Sequence, residues 1–139
     1  MVFETVERIR SLIDQAAELQ EPYVRRICPR CEDPCCARVH YLFTEKDIIY
    51  LKLSGRQQTW RRQGAMKKGC WFLSDKGCTL SSDARPFICH SYLCEDLKSA
   101  MTKDAPALLS HLREIFKEIG MLRGQMWTEY LEEARIRDA

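Results

Sequence analysis

Near both ends of the chain, apolar residues recur at three- and four-residue steps. Val2, Val6, Ile9, Ile13, Ala16 and Ala17 keep that step, with Phe3, Leu12 and Leu19 widening the stripe. The spacing predicts an amphipathic helix over residues 2–20. Glu21-Pro22 is expected to stop it, because proline restricts the residue before it and has no amide hydrogen. Leu108, Leu109, Leu112, Ile115, Phe116, Ile119, Leu122, Met126, Trp127, Tyr130, Leu131 and Ala134 repeat the pattern. They predict one long helix over residues 105–137, a core element rather than a site. Gly120 and Gly124 within it have a spacing that permits a close helix approach or a kink.

The middle of the chain has shorter periods. Thr44-Glu-Lys-Asp47 ahead of Ile48, Ile49, Leu51 and Leu53 reads as a capped helix closed by Gly55, with Asp47 where a capping box prefers glutamate. Gly69-Cys70-Trp-Phe-Leu and Cys78-Thr-Leu80 read as two short strands joined by the turn Ser74-Asp-Lys-Gly77. Such a hairpin carries Cys70 and Cys78 on its two arms. Ser82-Asp83 and Arg85-Pro86 introduce a helical stretch containing Cys89, His90 and Cys94. On an unbroken helix Cys89 and Cys94 stand about 140° apart, whereas His90 and Cys94 share a face. The expected fold class is mainly α, a small single domain over residues 1–139. It has an irregular cysteine-rich metal core over 28–94, one short β-hairpin, and flanking amphipathic helices at each end.

Cysteine usage changes the picture. A chain of 139 residues can bury a core without covalent staples, so its eight cysteines need another reason. They fall in two groups: Cys28, Cys31, Cys35 and Cys36 within nine residues, and Cys70, Cys78, Cys89 and Cys94 within twenty-five. No apolar run is long enough to span a bilayer, and the charged, amphipathic start is unlike a signal peptide, which points to the cytoplasm. Thiols stay reduced there, and clustered ones hold metal more often than they pair. The net charge of +2 sets up no strong field. The run from Arg56 to Lys68 is basic around Trp60 and is the one feature that would suit a nucleic-acid-binding zinc module; a solvated face explains it equally simply. Nucleic acid is therefore disfavoured as a partner, and no feature names a protein partner or an oligomeric state.

Cys28-x-x-Cys31 is a metal knuckle, in which turn amides hydrogen-bond the sulfurs that approach one cation. There is no second Cys-x-x-Cys, so a zinc ribbon fits poorly, while an iron-sulfur cluster also accepts closely spaced thiolates completed from afar. Softness and geometry do not separate zinc from iron-sulfur in an all-thiolate shell. Asp33-Pro34 resembles a helix start that would favour thiolates at Cys35 and Cys36. Those neighbours diverge by about 100° in a helical turn and so do different work. His40 and His90 lie beside cysteines, as ligands or as partners of ligands; His111 falls in the last helix. No Ser/His/Asp arrangement or phosphate loop points to hydrolysis or phosphoryl transfer.

The order of landmarks, Cys28-x-x-Cys31, Cys35-Cys36, Leu42-Phe43-Thr44-x-x-Asp47, Gly69-Cys70-x-Phe72-Leu73, Gly77-Cys78 and Arg85-Pro86-x-x-Cys89, resembles the cysteine-cluster family of zinc- or iron-chelating domains, of Cys-x-x-Cys-x-x-Cys-Cys type. The resemblance covers Cys28 to Cys94. It departs from the family pattern in the three residues before the paired cysteines, in Pro34 where glycine is usual, and in His90 where arginine is common. It implies metal chelation by Cys28, Cys31, Cys35, Cys36, Cys70, Cys78 and Cys89, with Cys94 as an eighth member. Relatives of the family include the flagellin lysine N-methylase, an iron-sulfur enzyme, so the resemblance also admits an iron-sulfur-dependent enzyme or enzyme subunit. The expectation is a metal-binding protein with a structural or electron-transfer centre of zinc or an iron-sulfur cluster.

Overall fold

The computed structural model describes residues 1–27, 44–55, 73–74, 77–78, 85 and 87–138. Its helices are α1 (Val2–Ile27), α2 (Glu45–Ser54), α3 (Phe87–Ser91), α4 (Glu95–Asp104) and α5 (Pro106–Asp138). The two-residue segments β1 (Leu73–Ser74) and β2 (Gly77–Cys78) pair antiparallel, Leu73 opposite Cys78 and Ser74 opposite Gly77.

The interior is built on α1 and α5. Val2, Val6, Ile9, Ile13 and Ala16 of α1 are buried against Leu112, Ile115, Ile119 and Met126 of α5, with Tyr50 and Leu51 of α2 and Leu97 and Met101 of α4 closing the same cluster. Thr5 of α1 donates to Glu129 of α5 at 2.8 Å, and Arg8 reaches Glu118 at 2.8 Å, so the two long helices run antiparallel. The stripes read from the sequence are the buried faces, except at their margins: Phe3 and Leu131 face solvent.

Three expectations are corrected. The first helix does not stop at Glu21-Pro22 but continues to Ile27 with Pro22 inside it. Proline removes one ladder bond; beyond it Tyr23, Val24 and Ile27 pack against the core, Arg26 lies 3.6 Å from Asp104 and its guanidinium 5.5 Å over the Tyr23 ring. Tertiary contacts here outweigh the local break. Secondly, the described residues do not support the short β-hairpin as a structural element of the fold. The β1 and β2 segments are two residues each, too short to form a layer. The pairing also includes Ser74 and Gly77, which the sequence assigned to the turn, and the residue opposite Cys78 is Leu73. Thirdly, among the described residues a Cβ added at Gly120 or Gly124 would meet nothing within 4 Å, so neither glycine serves a close helix approach there. The core that the described residues form is aliphatic and helical; most of the 28–94 segment expected to hold the metal core lies outside them.

The second helix is as its sequence implies. Asp47 accepts the Thr44 amide at 2.7 Å, the backward-reaching half of a capping box. Gly55 closes the helix in the left-handed region at φ 77°, its amide bonding the Leu51 and Lys52 carbonyls. Pro106 opens α5, where its missing N–H would have no helical partner in any case. Among the described residues no helix is long and apolar enough to cross a membrane.

Ile119 is fully buried between the long helices. Ile119→Ala is expected to cost about 2–5 kcal/mol in urea unfolding, the range for emptying a packed aliphatic site.

Candidate metal centre

Two of the eight predicted ligands have described side chains. Cys89 lies on α3, and Cys94 is the residue before α4, extended at φ −70° and ψ 166°; both are half-buried. Cys28, Cys31, Cys35, Cys36 and Cys70 lie outside the described residues, and of Cys78 only the backbone is described. His40 and the Arg56 to Lys68 run also lie outside them. Among the described residues no three His, Cys, Asp or Glu side chains form a group that could hold a metal ion.

The helix expected to carry Cys89, His90 and Cys94 together is two helices. Helix α3 ends at Ser91, and a new start follows at Cys94, whose carbonyl accepts the Lys98 amide at 3.0 Å. The face that His90 and Cys94 were to share therefore does not exist. The break frees Cys89 and Cys94 from the fixed angle of a continuous helix. His90 is buried.

What fixes α3 is a polar junction that the sequence disclosed only in part. Asp47 is 3 % exposed. While one of its carboxylate oxygens takes the Thr44 amide, the other accepts the Phe87 amide at 2.8 Å and lies 3.2 Å from Nη2 of Arg123. The same Arg123 nitrogen donates to Thr44 Oγ1 at 3.1 Å, and the guanidinium lies 4.6 Å above the Phe87 ring. Phe87 in turn meets Phe116 edge-on, centroids 6.3 Å apart. Burial lowers the pKa of Arg123 and the Asp47 carboxylate pulls it back up; a guanidinium so placed keeps its charge. At the other end of α3, Gln20 of α1, also buried, donates from Nε2 to the His90 carbonyl at 3.2 Å.

Both ends of α3 are thus capped by side chains from other helices. A carboxylate meets its first amide, where an N-cap and the helix dipole favour negative charge, and an amide donor meets one of its last carbonyls, which have no partner within so short a helix. Five residues cannot sustain a helix alone. Sequence reasoning placed Asp47 correctly at the helix start but missed that its second oxygen reaches Phe87, and it missed Arg123 and Gln20 altogether. Their signal was present: Arg123 follows Ile119 by four and precedes Met126 by three, a charge set into an apolar stripe.

Comparison with family models, with curated proteins and with solved structures gives no match. An open hollow of about 370 Å³ between α1 and α5, lined by Arg8, Leu12, Gln15, His111 and Glu118 among others, contains no cysteine.

Arg123→Met leaves the buried Asp47 charge without its partner and is expected to cost about 3–5 kcal/mol. Disrupting the half-exposed Arg8–Glu118 pair is expected to cost about 0–1 kcal/mol. Urea unfolding of the two variants side by side checks the contrast.

Proposed function

We propose that this chain is a metal-binding protein that chelates zinc or an iron-sulfur cluster through the thiolates of Cys28, Cys31, Cys35, Cys36, Cys70, Cys78, Cys89 and Cys94, with a structural or electron-transfer role. The support is the density of thiols, the family resemblance of their order, and one structural observation. The bond from the Phe87 amide to Asp47, together with that from Thr44, joins the residues that follow the segments 28–43 and 56–86. The two cysteine-bearing stretches are thereby anchored at one junction, and Gln20, eight residues before Cys28, is tied to the residue after Cys89. Anchoring of this kind raises the effective concentration of one thiol group at the other.

Bound metal would supply the cross-link between the two groups, and in the iron-sulfur case an electron-accepting centre. The protein's part is to hold sulfurs deprotonated and in place. Metal retention is therefore expected to fall as pH is lowered, because protons compete for the same thiolates.

Cys31→Ser is expected to unfold the protein or abolish stoichiometric metal; unchanged metal content with an unchanged melting curve would sink the proposal. Elemental and sulfide analysis of protein purified without oxygen separates the two centres. Brown, sulfide-containing protein supports the iron-sulfur form and keeps open an enzymatic role, whereas colourless protein with bound zinc supports the structural one.

A further inference from the structure

Neither Asp47 nor Gln20 carries a metal-binding thiol, yet both are polar side chains sunk in an aliphatic interior. Burial of such groups is costly unless each makes a hydrogen bond, and in both cases a bond runs to the backbone of α3. The Phe87 ring, held between Arg123 and Phe116, fixes the rotation of the same short helix. A five-residue helix held at its first amide, at its penultimate carbonyl and by its first side chain has little freedom left. Cys89 is the central residue of that helix.

Building on the metal-binding reading, we infer that Asp47 and Gln20 are positioning residues of the metal centre, which cap α3 from outside and so set the Cys89 sulfur before metal arrives. Residues that hydrogen-bond a ligand without touching the ion change metal affinity by about 10–100-fold when removed; Asp47 and Gln20 act one step further out, through the backbone of Phe87 and His90 on either side of Cys89. A core lesion elsewhere has a different signature: it lowers the stability of metal-free and metal-loaded protein alike, and leaves affinity below the melting range unchanged.

The experiment uses the full-length chain and Zn²⁺ as the probe, with affinity read by chelator competition and melting curves recorded with and without Zn²⁺. Gln20→Met keeps the side-chain bulk and removes the donor; Asp47→Asn keeps the shape and removes the charge. Each is expected to bind Zn²⁺ about 10–100-fold more weakly and to show a smaller Zn²⁺-induced rise in melting temperature. Leu112→Ala, a buried site on α5, is the control whose two melting curves should fall together with affinity unchanged. Because Gln20 acts through Cys89, adding Gln20→Met to Cys89→Ser should cause no further loss of affinity.

Should Asp47→Asn fail to fold, the Gln20→Met arm and its cycle with Cys89→Ser decide the matter. Wild-type Zn²⁺ affinity in Gln20→Met, or full additivity with Cys89→Ser, overturns the positioning role while leaving metal binding intact. A wild-type chain that takes up no Zn²⁺ and, purified without oxygen, holds neither iron nor sulfide overturns the metal-binding reading itself.

Discussion

An aspartate at 3 % exposure among leucines, isoleucines and methionines is a burden several kcal/mol deep unless its charge is answered. Asp47 is answered four times, by the Thr44 and Phe87 amides, by the Thr44 hydroxyl and by the Arg123 guanidinium. These partners come from the start of α2, the start of α3 and the middle of α5, so one carboxylate sets where three helices stand relative to one another. An aliphatic contact in the same place would have held them together without fixing their register, since dispersion is non-directional and hydrogen bonds are not. Among the described residues the long α1–α5 pair supplies most of the buried apolar side chains, while the Asp47 junction fixes α2 and α3 against it.

That division explains which parts of the molecule could be read in advance. The apolar stripes of α1 and α5 and the Thr44 cap of α2 are local patterns, and period and capping chemistry identify them from neighbours in sequence. Pro22 misled for the opposite reason: proline's local effect is real, but Tyr23, Val24 and Ile27 find partners only in the folded protein. The break between α3 and α4 was likewise invisible to periodicity. Beside it the His90 carbonyl is bonded by Gln20, seventy residues earlier in the chain, and the other end of α3 by Asp47, forty residues before Phe87. The expected hairpin failed because two strand-like apolar runs do not specify a register, and the observed pairing draws in the residues assigned to the turn.

The candidate metal centre was legible as a list of thiols and not as a geometry. Spacing suggests a knuckle at Cys28 and Cys31 and groups the eight cysteines in two sets, which is an expectation drawn from the local sequence. The proposed presentation of Cys89 is written elsewhere, in an aspartate at the start of α2 and a glutamine on α1. Neither residue announces a thiolate metal site. Their role in the proposed centre is mechanical, and it follows from the short helix they hold.

Pro22 carries a further consequence. Without its amide hydrogen the backbone ladder of α1 is interrupted one turn before the chain leaves the helix toward Cys28. The last turn, Tyr23 to Ile27, therefore leans more than the rest of α1 on the packing of Tyr23, Val24 and Ile27 against the core, and the Arg26 contact with Asp104 is a half-exposed one. A helix end that depends on such contacts opens at lower cost than the paired helices behind it, and Ile27 is the residue before Cys28.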